Sequence, residues 1–149
     1  MTQPSSGDVI IEEITIKSFA DRVFIALTSP EQRMKWWGAE GRFKVTEMES
    51  DLRPSGKWFM RGIGMGGKPF IVHGVYREIE RPRLLTFTWN PSWQSEPLES
   101  LVRFDLDEKQ GITTVRLTHS GLVTEGSRAQ HRGWPAILGW LQAYLEQGD

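Results

Sequence analysis

The stretch Trp134 to Leu145, WPAILGWLQAYL, decides how the rest of the chain is arranged. Trp134, Ile137, Leu138, Leu141 and Leu145 fall at i, i+3, i+4, i+7 and i+11, one apolar stripe at helical period. Trp140 and Tyr144 widen that stripe. Pro135 marks the first turn of the helix or kinks it. A terminal helix this apolar has to be covered, and the segments before it supply the cover.

Leu98 to Leu106 and Ile112 to Ser120 alternate apolar and polar residues, the period of a half-buried strand, and form a hairpin around Asp107 to Gly111. Arg83 to Asn90 (RLLTFTWN) alternates in the same way. Pro69 to Ile79, Gly56 to Gly64 and Phe43 to Glu49 read as further strands. Gly66-Gly67 makes a hairpin turn, since adjacent glycines supply positive φ at little cost. Gly74 marks a bulge or a close approach within its strand. Glu80-Arg81-Pro82 turns the chain, and Pro91 to Pro97 is a loop that contains Trp93.

At the other end, Val9 to Lys17 is rich in β-branched residues and reads as a strand. Ser18 is the expected N-cap of a short helix in which Val23, Phe24 and Leu27 share a face. Ser29 caps a second helix, Pro30 suits its first position, and it runs to about Trp37 before Gly38. Residues 1–7 read as a disordered tail and residues 8–149 as a single domain. One strand, two short helices, a run of strands and a long helix give the α+β class. A curved antiparallel sheet wrapped around the terminal helix buries both apolar faces.

The 149 residues carry eighteen basic and nineteen acidic side chains, so the net charge is −1, without the basic footprint of a general nucleic-acid binder. Cysteine is absent, which removes disulfides, thiol catalysis and cysteine metal sites. No apolar run has the length of a membrane helix, and the polar start lacks a signal-peptide core, so a cytoplasmic location is expected. Seven tryptophans are more than a core of this size needs. They read either as an over-aromatic core or as the lining of a ligand cavity.

Several segments occur in a recognisable order. Leu27-Thr28-Ser29-Pro30-Glu31 precedes Trp36-Trp37, and Pro54-Ser55-Gly56-Lys57-Trp58 precedes His73-Gly74-Val75-Tyr76-Arg77-Glu78-Ile79. Arg81 to Trp89, Thr113 to His119 and His131-Arg132-Gly133-Trp134 complete the set. The ordered set resembles the family named after the activator of the heat-shock-protein-90 ATPase, within the START-like (SRPBCC, Bet v 1-like) superfamily. The resemblance covers roughly Val9 to Glu146. It implies the helix-grip fold: about seven antiparallel strands curved around a long C-terminal helix, two short helices after the first strand, and a cavity between sheet and helix. Superfamily members carry lipids, sense hormones, catalyse cyclisation or dehydration, handle antibiotics, or assist chaperones.

Strand parity and the helix stripe name the cavity lining: Trp36, Trp37, Trp58, Met60, Phe70, Val72, Tyr76, Phe87, Trp89, Val102, Phe104, Leu117, His119, Trp134, Leu138 and Leu141. Trp36, Trp37 and the Trp93 loop are expected at its entrance. The plain alternative is that these side chains simply fill the core. His119, Tyr76 and Arg103 are the candidates for catalysis, His119 as a general base. His73 is expected on the opposite parity, and His131 is expected to face solvent. No histidine or carboxylate spacing suggests a metal, and no cofactor is indicated. GIGMGG at Gly62 to Gly67 lies between strands and lacks the lysine of a phosphate loop.

Three functions follow as expectations. The first is a carrier or sensor of a small hydrophobic or aromatic molecule, without nucleic acid or membrane insertion. The second is a cyclase- or dehydratase-like enzyme using the same cavity. The third is a co-chaperone-like interaction module with a chaperone contact or a homodimer, using a patch around Trp36, Trp37 and Met65.

Overall fold

The computed structural model describes residues 9–39, 43–92, 99–122 and 131–147. The expected tail and the Trp93 loop lie outside the described residues. In chain order the elements are β1 (Val9–Ile16), α1 (Ala20–Thr28), α2 (Pro30–Trp36), β2 (Gly38–Ala39), β3 (Phe43–Ser50), β4 (Lys57–Ile63), β5 (Pro69–Glu80), β6 (Leu84–Pro91), β7 (Ser100–Lys109), β8 (Ile112–Ser120) and α3 (Trp134–Glu146). The strands form one antiparallel sheet in the order β1-β8-β7-β6-β5-β4-β3-β2. This is the helix-grip arrangement, with a two-residue strand, β2, added at one edge to the seven expected.

The chain runs back and forth from β3 to β8, and β1 then pairs with β8 along its whole length, from Val9↔Ser120 to Ile16↔Thr113. α3 lies against β1 and reaches α1 and α2. Its stripe is buried as the periodicity predicts: Trp134, Leu138, Leu141 and Leu145 all enter the core. Each buried leucine contributes about 1.5–3 kcal/mol relative to an exposed one. Gln142 Nε2 donates to the Thr15 carbonyl at 2.8 Å, and the Lys17 amide donates to the Glu146 carboxylate at 2.9 Å. Tyr144 donates to Gln32 Oε1 at 3.3 Å, tying α3 to α2. Pro135 sits in the first turn of α3, where its missing N–H costs nothing.

Local chemistry accounts for most junctions. Ser29 Oγ accepts from the Gln32 amide at 3.3 Å and caps α2 as expected. Ser18 does not cap α1. The helix starts after Phe19, and the Ala20 amide donates to Glu108 Oε1 at 2.8 Å. Ser18 is turned inward, and its carbonyl accepts from Thr113 Oγ1 at 2.7 Å. A carboxylate distant in sequence therefore replaces the local hydroxyl at the positive end of the helix. The β7–β8 hairpin is tighter than its sequence suggested. Pairing continues to Lys109↔Ile112, and Gln110 (φ 54°) and Gly111 (φ 79°) alone make the turn.

Gly74 marks a close approach: a Cβ there would lie 1.9 Å from the Thr88 carbonyl oxygen. The β5–β6 register shifts between Tyr76 and Ile79. Beside that irregularity the Val75 and Glu78 amides donate to Thr88 and Thr86 Oγ1 at 2.8 Å each. Both threonines lie opposite Leu85, Phe87 and Trp89 as alternation predicts, yet they are buried rather than solvated. Each hydroxyl accepts a backbone N–H, which satisfies its polarity where it is buried.

Candidate functional site

The inner face of the sheet, α2 and α3 bring the aromatic residues together. Trp37 lies 5.2 Å from Trp36, 6.2 Å from Trp89 and 5.8 Å from Trp134, between ring centroids. Trp89 and Trp134 are 5.3 Å apart, and Trp58 stands 5.9 Å from Trp89 and 5.3 Å from Phe87. Phe87, Phe104 and Trp134 extend the chain of contacts at 6.2 and 6.4 Å. These separations fall within the range of favourable ring pairs. Met60, Val72, Val102, Leu117, Leu138 and Leu141 belong to the same buried cluster, and Phe70 packs at its margin.

Two placements differ from the sequence reading. Trp36 and Trp37, expected at an entrance and in an exposed patch, are only 4% and 3% exposed. The Trp36 indole N–H donates to the Ala26 carbonyl at 2.8 Å, which draws the ring under α1. The side chain of Met65, the third member of that patch, lies outside the described residues. His131, expected to face solvent, is buried and accepts from the Trp89 indole N–H at 3.0 Å. It precedes the α3 stripe, but the approach to that helix carries it inward.

His119 is fully buried at the end of β8. Its Nδ1 accepts from the Trp134 indole N–H at 3.0 Å. The ring proton therefore sits on Nε2, which donates to Ser100 Oγ at 2.7 Å, and the Ser100 hydroxyl donates in turn to the Trp89 carbonyl at 3.3 Å. The His131 ring lies 4.8 Å away. Burial, aided by the neighbouring His131, pushes the His119 pKa down to about 3. His119 is thus a neutral, doubly bonded imidazole at physiological pH. Neither nitrogen is left to take a proton from a substrate.

Arg33, on α2, is the residue that the sequence reading missed. It is 3% exposed. Its Nη1 donates to the Leu27 carbonyl at 2.9 Å, while Nε and Nη2 have no partner. The guanidinium carbon stacks 4.2 Å from the Trp37 ring centroid and lies 5.7 Å from that of Trp58, whose own buried indole N–H is also unpartnered. Burial lowers the Arg33 pKa to about 10, so the group stays charged at neutral pH. A signal was available. Arg33, Trp36 and Trp37 stand at i, i+3 and i+4, on one helix face.

Tyr76 lies in the same region and shares a 2.7 Å hydrogen bond with Ser50 Oγ. Burial raises its pKa, against the opposing pull of that hydrogen bond and of Arg33. Arg103 does not join the cluster. It is exposed on the outer face of β7 and makes two bonds to Asp105, at 2.8 and 3.0 Å. Alternation already put Arg103 opposite Val102 and Phe104, so its place among catalytic candidates is corrected. His73 is exposed, as parity predicts. A depression of about 560 Å³ over β3, β4 and β5 is lined by Glu49, Lys57, Phe59, His73 and Val75, and Trp58 of the aromatic cluster also borders it. Among the described residues no group of three or more histidines and carboxylates could hold a metal ion, and no helix is long and apolar enough to cross a membrane.

Comparisons with known proteins agree with this architecture. The sequence pattern of the activator of Hsp90 ATPase homolog 1-like proteins matches residues 17–146. Among proteins with curated descriptions none matches. Among solved structures, protein CV1439 from Chromobacterium violaceum is 20% identical, with a TM-score of 0.82 over 93% of this chain and 97% of that one. Protein Ms6760 from Mycobacterium smegmatis is 16% identical, with a TM-score of 0.82 over 99% and 96%. CalU16 from Micromonospora echinospora is 24% identical, with a TM-score of 0.68 over 93% of this chain and 76% of that one. Likeness at these identities concerns the fold.

Proposed function

The chain belongs to the activator of Hsp90 ATPase homolog 1-like family, and from that premise we propose that it binds a small hydrophobic or aromatic molecule as a carrier or sensor. The observation that carries the reading is the convergence of Trp36, Trp37, Trp58, Trp89 and Trp134 between the sheet, α2 and α3. Leucine and isoleucine would fill this volume without polar atoms. Indoles bring N–H groups that need partners, a cost more easily understood where rings must face a ligand. The position between sheet and terminal helix also favours a ligand, since sites gather where layers meet.

The enzyme reading has less support. His119 has both nitrogens engaged, and Arg103 points away from the cluster. The interaction-module reading loses the exposed tryptophans on which it depended.

The test is mass spectrometry of small molecules released by denaturing the protein after native purification, with titration of tryptophan emission by a lipophilic library. A stoichiometric apolar compound, or saturable quenching, is the expected result. A protein that carries no compound and quenches with no library member refutes the reading and leaves the tryptophans as core.

A further inference from the structure

Resting on the ligand-binding reading above, we infer that Arg33 and Trp58 form an anchor for a carboxylate, and that the ligand is a monocarboxylic acid with an apolar body. The argument starts from unused donors. Arg33 Nε, Arg33 Nη2 and Trp58 Nε1 are buried and unpartnered. All are donors, so they cannot satisfy one another. Whatever completes the group must supply acceptors.

The free edge of Arg33 identifies those acceptors. Nε and Nη2 form the side-on fork of a guanidinium, and among the described residues that same edge is used where an arginine grips a carboxylate with two bonds. Arg81 Nε and Nη2 hold the two oxygens of Asp21 at 2.6 and 3.0 Å. Arg103 Nε and Nη2 hold those of Asp105 at 2.8 and 3.0 Å. In Arg33 the opposite nitrogen, Nη1, is spent on the Leu27 carbonyl. That bond orients the guanidinium and leaves its fork free.

Charge points the same way. Among the described residues Arg33 has no ion pair, and Tyr76 is the only group that raises its pKa. A buried cation without a counter-ion is costly, and a carboxylate arriving from outside removes that cost. The surroundings define the rest of the ligand. Trp37 stacks on the guanidinium, Trp58 stands beside it, and the neighbouring rings are apolar. A planar singly charged head on an aromatic or acyl body matches both features.

The experiment compares matched pairs on the full chain at neutral pH by isothermal titration: decanoic acid with decanol, and naphthalene acetic acid with naphthalene ethanol. The expected result is that at least one acid binds about tenfold or more tightly than its alcohol. Arg33→Met then abolishes the gap by weakening the acid and leaves the alcohol within about threefold. Trp58→Phe, which keeps the ring and removes the N–H, narrows the gap and serves if Arg33→Met does not fold. Alcohols that bind as tightly as acids, or decyl phosphate binding more tightly than decanoate, overturn the carboxylate anchor and leave the ligand-binding reading standing. A gap that persists in Arg33→Met overturns the role of Arg33. A folded protein that binds neither acids nor alcohols, and fails the library titration as well, overturns both.

Discussion

Acid sensitivity is the sharpest consequence of the buried imidazole. His119 is held neutral by burial, with a folded pKa near 3 against 6.5 for an ordinary histidine. Between these values the unfolded chain binds a proton that the folded chain refuses. Stability contributed by His119 is therefore complete above pH 6.5 and is lost as pH falls below it. At pH 7 the unfolded state gains little from protonation, whereas at pH 5 the gain is about 25-fold larger, or about 2 kcal/mol. The geometry explains why the fold cannot yield earlier. Protonated His119 would turn an N–H toward the Trp134 indole N–H, which now donates to it at 3.0 Å. The assay is equilibrium urea unfolding, followed by tryptophan emission, at several values between pH 5 and 7. This window lies above most carboxylate titrations. The wild type should lose about 2 kcal/mol across it. His119→Phe should be less stable throughout and should lose about 2 kcal/mol less than the wild type across the window. A wild-type profile no steeper than that of the variant would refute the neutral imidazole bonded through both nitrogens.

Three further outcomes follow from single contacts. Trp134→Phe leaves His119 Nδ1 without its donor in the core, so the urea midpoint should fall by the equivalent of about 1–3 kcal/mol and the acid loss should become shallower; an unchanged midpoint contradicts the bond. Gly74→Ala forces a methyl to 1.9 Å from the Thr88 carbonyl, so β5 and β6 must part, at a cost of about 2 kcal/mol or more in thermal or urea unfolding. Arg33→Met removes a buried charge that has no counter-ion, and ligand-free stability should stay level or rise by about 1–4 kcal/mol; a large loss in urea unfolding would contradict an unpaired guanidinium.

Local patterns along the chain specify the elements and their faces. Val115, Leu117 and His119 share one side of β8 because strand parity is local. Leu138 and Leu141 face inward because helical period is local too. Ser29 and Pro30 mark the start of α2 through chemistry confined to one turn. The ordered set of segments extended that reading to the helix-grip fold. Which polar groups meet depends on how the elements pack, because those meetings join residues far apart in the chain. Glu108, not Ser18, serves the start of α1 because the β7–β8 hairpin ends there. His131 turns inward because Trp89, on β6, offers its N–H. Arg33 shares a helix face with Trp36 and Trp37, but only closure of α2 over the sheet strips it of water. Burial is a property of what covers a residue, and no local period records the cover. The charge left without a counter-ion under that cover is what points to a ligand.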